Sequence, residues 1–192
     1  GDYDVILSDV WGVVHDGRTH TPAAADALTR FRQKGGTVVL ITNAPRPHPG
    51  IVEMLDNFGL PRTAYDAIVS SGDVTVDLIC ARGATPLHHM GPPRALPLFD
   101  TVAERLGEKP PMLALADADY VVCTGLVDEY GDPEPYMPAL VAMKERDLPM
   151  ICANPDIVVH VGDDLLWCAG ALAERYQGLG GRVIMAGKPH AI

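Results

Sequence analysis

The sequence predicts an α/β protein with a mostly parallel sheet, in which a core domain carries an inserted second α/β module. Three observations predict this class. Short apolar runs rich in β-branched residues alternate with helical segments, glycines and prolines separate these segments, and a Gly/Pro-rich stretch at residues 83–97 (GATPLHHMGPPRALP) interrupts the alternation. Such alternation is typical of a parallel sheet covered by helices on both faces.

The first 82 residues contain three predicted strands and three predicted helices. Residues 3–8 (YDVILS) form a buried strand, and Thr21, as an N-cap followed by Pro22, starts a helix that stops at Gly35–Gly36. The run TVVLI is a second strand, because β-branched residues favour pleated structure. The remaining predicted elements are a helix over 49–58, a strand over 67–70 and a helix over 73–81.

The middle of the chain repeats this alternation as a separate module. Its predicted elements are a helix over 98–106, a strand over 119–123, a helix over 135–146 and a strand over 149–153. From Cys168 a further helix (CAGALAERYQ), a glycine stop and a strand (RVIMAG) follow. We therefore predict residues 1–82 as the first part of the core, 83–167 as the inserted domain and 168–192 as the second part of the core.

Composition and charge exclude several classes of partner. The 192 residues are 47% hydrophobic, which suffices for a packed core, and the formal net charge is −10. Nucleic acids and anionic membranes need a basic surface, and no apolar run approaches the ~20 residues of a membrane span. The sequence begins without a signal-peptide pattern. Its four cysteines lie far apart in apolar surroundings, which favours a cytoplasmic protein with buried, reduced thiols: Cys80, Cys123, Cys152 and Cys168.

Polar side chains follow three of the predicted strands at the point where each strand ends. Asp9 follows the first strand, Thr42 and Asn43 follow the second, and Lys188 follows the last. In open parallel sheets the reactive groups lie at the carboxyl ends of the strands. A carboxylate can attack phosphorus, a hydroxyl can donate to a phosphoryl oxygen and an ammonium can offset charge in the transition state. Together the residues predict phosphoryl-transfer chemistry.

Three segments resemble the motifs of a known family. DVWGVVHDG (residues 9–17), LITNAPRP (40–47) and AGKPH (186–190) are similar to the first three motifs of the haloacid dehalogenase-like (HAD) superfamily. Their spacing resembles class IIA, which includes p-nitrophenyl-phosphatase, pyridoxal-phosphatase and nucleotide-phosphatase-like enzymes. The resemblance spans essentially the whole chain, since SSGDVTVDL (70–78), ANPD (153–156) and AGALAERY (169–176) also match.

The resemblance implies a fold and an activity. It implies a Rossmann-like core with a C2-type cap domain inserted between the second and third motifs, where the middle module lies. It further implies a Mg²⁺-dependent phosphatase acting on a small phosphorylated metabolite, which the cap selects. A homodimer formed through the cap is compatible with this class.

The resemblance also implies a role for each motif residue. Asp9 would form an aspartyl-phosphate, Thr42 and Asn43 would hold the phosphoryl group, and Lys188 would neutralise it. Mg²⁺ would be bound by the Asp9 carboxylate, by the main-chain carbonyl of Trp11 and by an acidic fourth motif.

Trp11 departs from the family pattern. Phosphatases of this superfamily carry an aspartate two residues after the nucleophile, which protonates the leaving oxygen and later activates water. An indole has one N–H donor and no titratable proton in range, and a missing general acid/base costs about 10²–10⁴ in rate. Three outcomes are open: a substrate with a good leaving group such as an acyl or enol phosphate, substitution by His15 or Asp16, or vestigial hydrolysis. The dehalogenase branch also lacks this aspartate, but the class IIA resemblance argues against an alkyl-halide substrate.

His15 and Asp16 have a second interpretation, and we favour it. Together with Gly17, they are typical of a tight turn that follows the first strand.

The fourth motif is expected beyond Ile192, so the C-terminal part of the core is expected to be missing from this sequence. Gly162-Asp163-Asp164 follows an apolar strand but precedes Lys188, in the wrong order for that motif, and we interpret it as a surface turn.

Some polar residues of the middle module stay ambiguous. Asn154 and Asp156 either hold the orientation of the cap or contact the substrate. His88 and His89 are interpreted as solvated rather than metal-binding, because no carboxylate or thiolate lies at ligand spacing. The acidic stretch 128–134 is interpreted as a solvated loop.

Two hypotheses therefore follow from the sequence. The first is a Mg²⁺-dependent phosphatase with Asp9 as nucleophile. The second is a catalytically weak phosphate-binding protein of the same fold, in which Trp11 marks the loss of turnover.

Overall fold

The computed structural model describes residues 3–162 and 164–190, which form two compact units. The first unit contains the described residues up to Thr42 together with His48–Ser70. The second contains Asn43–Pro47 and the described residues from Ser71 onward. No helix in the described ranges is long and apolar enough to cross a bilayer.

The first unit is a three-stranded parallel sheet with two helices. Its strands are β1 (Val5–Asp9), β2 (Thr37–Thr42) and β3 (Ala67–Ser70), in the spatial order β1-β2-β3, and its helices are α1 (Pro22–Gln33) and α2 (His48–Asn57). Leu28, Leu40 and Leu55 are buried between these elements. In the strand register Asp9 lies opposite Ile41 and Thr42 lies opposite Ser70. The carboxyl ends of all three strands therefore lie at one edge of this sheet.

The second unit is built on a four-stranded parallel sheet. Its order is β4 (Leu87–Met90), β5 (Tyr120–Cys123), β6 (Met150–Cys152) and β9 (Val183–Met185). An antiparallel hairpin of β7 (Val158–Val161) and β8 (Asp164–Trp167) follows β6. The helices are α3 (Ser71–Cys80), α4 (Pro97–Leu106), α5 (Met137–Glu145) and α6 (Ala169–Gly178). Short 3-10 helices occur in both units, at Arg62–Ala64, Pro93–Ala95, Leu115–Asp117 and Glu134–Tyr136.

Helices cover both faces of this second sheet. Val121 and Cys123 of β5 face a cluster that includes Leu140 of α5 and Leu172 of α6. Tyr120 and Val122 face a cluster formed with α3 and α4, which contribute Ile79, Phe99 and Val102. Successive strand residues point to opposite faces, so β5 is buried along its whole length. The predicted α/β class with parallel sheets is confirmed.

Residues 183–185 differ from the prediction, because they join the sheet that contains the middle module. They pair in parallel with β6, and the Ala186 amide donates to the carbonyl oxygen of Cys152 at 2.9 Å. The segment 168–192 was predicted as the second part of the core. Helix α6 buries Leu172 and Tyr176 against β5 and β6, which explains why the following strand stays in this unit.

Two short strands were missed. β4 lies within the Gly/Pro-rich stretch, where four residues containing two histidines give no clear strand pattern. β8 follows the Gly162 turn, between the predicted turn and the helix predicted from Cys168, where the sequence analysis placed no strand. Gly162 has φ +63° and belongs to the hairpin turn, as predicted, while Asp163 lies outside the described residues.

Candidate active-site residues

Asp9 is the last residue of β1, and its carboxylate is exposed. Its Oδ1 atom accepts a hydrogen bond from the Val10 amide at 2.8 Å. Thr42 ends the adjacent strand β2 and is buried. The parallel register thus brings the predicted carboxylate and hydroxyl to the same edge of the first sheet.

The loop after Asp9 is a compact turn. The Val10 carbonyl accepts from the Val14 amide at 2.8 Å, and the Gly12 amide donates to the His15 carbonyl at 2.8 Å. Asp16 accepts from the amides of Arg18 and Thr19, both at 2.9 Å. These bonds fix the backbone that carries Trp11.

His15 is a packing residue of this loop. It is 1% exposed, and its ring lies 5.0 Å from both the Trp11 and the Phe58 rings, edge-on to the first and tilted to the second. Its Nδ1 atom accepts from the Gly17 amide at 3.0 Å, so the neutral ring carries its proton on Nε2. Burial lowers the pKa of His15, which favours the neutral form.

Asp16 is held in its charged form. The amides of Thr19 and Arg18 that donate to its carboxylate lower the pKa of Asp16. A carboxylate that is ionised at neutral pH has no proton to give to a leaving group. The hydrogen bonds of His15 and Asp16 therefore favour the turn interpretation of both residues.

Trp11 packs against the same loop. A Cβ atom at Gly17, which has φ +91°, would lie 2.9 Å from Cη2 of the indole. Glycine is needed here because any side chain would push the indole away.

Asn43 lies in the second unit and is the centre of a hydrogen-bond network. Its Nδ2 atom donates to Asp156 Oδ1 at 2.8 Å and to the Lys188 carbonyl at 3.0 Å. Its Oδ1 atom accepts from the Lys188 amide at 2.8 Å and from the Ser71 hydroxyl at 3.3 Å. A carboxamide offers two donors and two acceptor positions, so protein groups occupy all four.

Gly187 allows the Lys188 backbone to come this close. It has φ +118°, and a Cβ atom there would overlap Ser71 Oγ and approach Asn43 Oδ1 to 2.6 Å. Lys188 itself is half-buried, and the Lys188–Pro189 peptide bond is cis.

Two of the predicted site residues offer oxygen ligands of the kind that a hard cation prefers. Asp9 supplies a carboxylate and Trp11 a main-chain carbonyl, and Mg²⁺ prefers oxygen ligands and is commonly held by one or two carboxylates. Within residues 3–162 and 164–190, no group of three or more His, Cys, Asp or Glu side chains could hold a metal ion.

Other polar residues of the second unit have structural partners. His88 Nδ1 lies 3.0 Å from the Leu113 carbonyl, and His89 Nε2 lies 2.8 Å from Thr124 Oγ1. In the acidic stretch, Asp132 accepts from the Glu134 amide at 2.8 Å. Both histidines are half-buried and bonded to protein groups, so the interpretation of them as solvated is wrong, whereas Asp128, Asp132 and Glu134 of the acidic stretch are exposed as expected of a solvated loop.

The structure adds Ser71 to the residues named from the sequence and gives Asp156 a defined contact. It brings Asn43 and Lys188 into direct contact and adds Ser71 and Asp156 as partners of Asn43. Ser71 and Asp156 fall within SSGDVTVDL and ANPD, so their motifs were a signal, but the pairing with Asn43 was not predicted.

Comparison with known proteins places the chain in a family. A family model described as haloacid dehalogenase-like hydrolase matches residues 6–102, about half of the chain. The structure of a haloacid dehalogenase-like hydrolase from Brucella suis is 49% identical, with a TM-score of 0.91, over 98% of this chain and 70% of that one. Among curated proteins, none matches this chain.

More distant structures share the fold. A p-nitrophenyl phosphatase from Archaeoglobus fulgidus is 19% identical, with a TM-score of 0.69, over 94% of this chain and 66% of that one. A glycerol phosphate phosphatase from Mycobacterium tuberculosis, solved with magnesium, is 24% identical, with a TM-score of 0.70, over 98% of this chain and 55% of that one. The family-model match and the 49% identity to the Brucella structure show that the chain belongs to the haloacid dehalogenase-like hydrolase family.

Proposed function

We propose that this protein is a Mg²⁺-dependent phosphatase that hydrolyses a small phosphorylated metabolite through an aspartyl-phosphate on Asp9. The observation that carries the proposal is the position of Asp9. Its exposed carboxylate ends a strand of a parallel sheet, next to the strand that ends in Thr42, in a chain of the haloacid dehalogenase-like hydrolase family.

The first chemical step is attack by the Asp9 carboxylate on phosphorus. A bond forms between the carboxylate oxygen and phosphorus, the ester P–O bond breaks, and the leaving oxygen departs with the bonding pair. The Val10 amide holds Oδ1 of the nucleophile. The Thr42 hydroxyl donates to a phosphoryl oxygen, and the Lys188 ammonium offsets the negative charge. Water then attacks the phosphorus of this acyl phosphate, the bond between phosphorus and the Asp9 oxygen breaks, and the released phosphate takes up the proton that water loses, which regenerates the Asp9 carboxylate.

Mg²⁺ would be held by the Asp9 carboxylate and the main-chain carbonyl of Trp11. When bound, it supplies positive charge that reduces repulsion between the carboxylate and the phosphoryl group. The magnesium in the Mycobacterium structure is consistent with this choice of metal.

Trp11 limits the class of substrate. Neither the indole nor the turn-forming side chains of His15 and Asp16 supplies a proton to the leaving oxygen. The substrate that fits best has a leaving group that departs without protonation, as in an acyl or enol phosphate.

The proposal is tested by turnover with Mg²⁺ on a panel of alkyl, aryl, enol and acyl phosphates. We expect release of phosphate, fastest from acyl or enol phosphates, and its loss in Asp9→Asn. Asp26→Asn is the matched control, since Asp26 is an exposed carboxylate of α1 that pairs with Arg30 on the same helix. Equal rates in Asp9→Asn and wild type would contradict the role of Asp9.

The second candidate function is phosphate binding without turnover. It is favoured because a ring contact and hydrogen bonds hold Trp11, His15 and Asp16 within the turn. These three side chains therefore do not supply a proton to a leaving group. Titration calorimetry with inorganic phosphate and Mg²⁺ separates the two. Binding that is lost in Lys188→Ala, with no turnover on any phosphate of the panel, would establish this second function.

A further inference from the structure

We propose that Asp156 is a positioning residue for Lys188, acting through the carboxamide of Asn43. This inference deepens the proposed function and rests on it, because it takes the Lys188 ammonium as the group that offsets phosphoryl charge. Sequence alone left Asp156 with two alternative roles, holding the cap or contacting the substrate. The hydrogen bonds within the second unit favour a third role.

Both backbone groups of Lys188 are held by Asn43. One carboxamide bonds both backbone groups of this residue: Asn43 Oδ1 accepts from the Lys188 amide at 2.8 Å, and Asn43 Nδ2 donates to its carbonyl at 3.0 Å. Two bonds to one rigid plane fix the peptide units on either side of the Lys188 Cα atom. The direction of the Cα–Cβ bond, and hence the origin of the ammonium side chain, follows from the orientation of Asn43.

The orientation of the Asn43 carboxamide is set by Asp156. A carboxylate at neutral pH only accepts hydrogen bonds. Asp156 Oδ1, at 2.8 Å, therefore selects the amide nitrogen of Asn43. With the amide turned over, Asn43 Oδ1 would face this carboxylate and Nδ2 would face the Lys188 amide, and both contacts would be repulsive.

Asp156 is itself held in place by hydrogen bonds to its backbone. Its backbone amide donates to Asn154 Oδ1 at 3.0 Å, and its carbonyl accepts from the Gly170 amide at the start of α6 at 3.1 Å. The carboxylate thus reaches Asn43 from a backbone whose amide and carbonyl are both bonded. Asn43 is buried, so its bond to a charged acceptor is shielded from water on the Asn43 side.

The consequence is a chain of fixed groups from α6 to Lys188. Misplacement of a catalytic group by about 1 Å can cost about 100-fold in rate. Loss of the Asp156 carboxylate should therefore lower kcat by about 10-fold to 100-fold. KM should change much less, because the Asp156 side chain does not contact the reacting groups in this arrangement.

The test is a double-mutant cycle on the full-length protein with Mg²⁺. Asp156→Ala and Lys188→Ala are measured singly and together, with an acyl phosphate as substrate. We expect the double variant to be as slow as Lys188→Ala alone, because there is then no ammonium left to position. Fold-losses that multiply would show that Asp156 acts independently of Lys188 and would overturn the proposal.

Two further variants guard against a general loss of structure. Asp156→Asn keeps an oxygen acceptor for Asn43 Nδ2 and should retain most of the wild-type kcat. Asp100→Ala is the control, since it removes an exposed carboxylate of the same unit whose partner is Lys109. An Asp156→Asn variant as slow as Asp156→Ala would contradict a role for the accepted hydrogen bond.

A readout without turnover separates this proposal from the proposed function. Hydrogen exchange of the Lys188 amide reports its bond to Asn43 Oδ1. We expect exchange at least about 10-fold faster in Asp156→Ala and unchanged in Asp100→Ala. Unchanged exchange in Asp156→Ala would overturn the positioning role. Faster exchange in a protein that hydrolyses no phosphate would instead sink the proposed phosphatase activity and leave the contact network standing.

Discussion

At the scale of single residues, Trp11 decides which chemistry the loop after Asp9 can perform. Its indole packs against Gly17 and edge-on to the buried His15 ring. The loop is therefore a packed turn around an aromatic pair. Such a turn holds the backbone next to Asp9, the proposed nucleophile, but provides no proton for a leaving group.

Restoring an acid at this position should widen the substrate range. We predict that Trp11→Asp raises the rate on alkyl phosphates. The increase should reach at most about 10²–10⁴-fold, the usual contribution of a general acid. The measurement is kcat on an alkyl and an acyl phosphate, with Trp11→Phe as the control that removes the indole without adding an acid. An Asp variant no faster on the alkyl ester than the Phe variant would contradict this account.

Gly187 is the residue whose replacement should disturb the Asn43 network most directly. A Cβ atom would overlap Ser71 Oγ, and φ +118° is strained for any L side chain. We predict that Gly187→Ala lowers the free energy of unfolding by about 1–3 kcal/mol and also lowers kcat.

Gly178→Ala provides the matched comparison for this glycine. A Cβ atom at Gly178 would contact nothing within 4 Å, so this variant should unfold at the same denaturant concentration as wild type or slightly higher. Urea unfolding of both variants checks the prediction. Equal midpoints for Gly187→Ala and Gly178→Ala would show that the network tolerates a side chain.

The sequence predicted which residues end the strands but not how they are bonded. The positions of Asp9 and Thr42 at the carboxyl ends of β1 and β2 were predictable, because apolar strand patterns locate strand ends well. The contacts of Asn43 with Asp156 and Lys188 were not predictable, since Asp156 lies 113 residues away and Lys188 lies 145 residues away. Contacts at such separations depend on how the sheets close, which local patterns do not encode.

At the scale of elements, strand pairing marks the limit of the sequence prediction. The segments that form β2, β5 and β6 were predicted as strands, and all three lie in parallel sheets. β9 was predicted as a strand but assigned to the core. A helix followed by a glycine and a strand has the same local pattern whichever sheet the strand joins, so only its pairing with β6 identifies its sheet.

His89 of β4 should make the folding stability of the protein depend on pH. Burial lowers the pKa of His89 to about 4, and the neighbouring His88 adds to the effect. Below about pH 6.5 the unfolded chain therefore binds a proton that the folded chain does not bind until about pH 4. The stability contributed by neutral His89 is fully present above pH 6.5 and is lost as the pH falls from about 6.5 towards 4.

His89→Gln should flatten this dependence. A glutamine carboxamide can still bond Thr124 Oγ1, which lies 2.8 Å from His89 Nε2, but does not titrate. The check is the urea midpoint of wild type and variant at pH 7.5 and pH 5. We expect the wild type to lose more stability between these two pH values than the variant. The same loss in both would contradict a buried neutral His89.

At the scale of the whole molecule, the chain combines two α/β units with parallel sheets, and this class was predictable from strand and helix alternation. The formal net charge of −10 makes the protein a poor electrostatic match for a polyanion. Any binding of a phosphorylated metabolite must therefore depend on local groups such as the Lys188 ammonium rather than on the overall charge.

The central claim is that Asp9 is phosphorylated during turnover. The most direct measurement is borohydride trapping of the full-length protein during steady-state hydrolysis of an acyl phosphate with Mg²⁺, followed by peptide mass spectrometry. Borohydride reduces an aspartyl-phosphate to homoserine, so the account predicts homoserine at position 9 in wild type and none without substrate or in Asp9→Asn. Steady release of phosphate with an unmodified Asp9 peptide would contradict it.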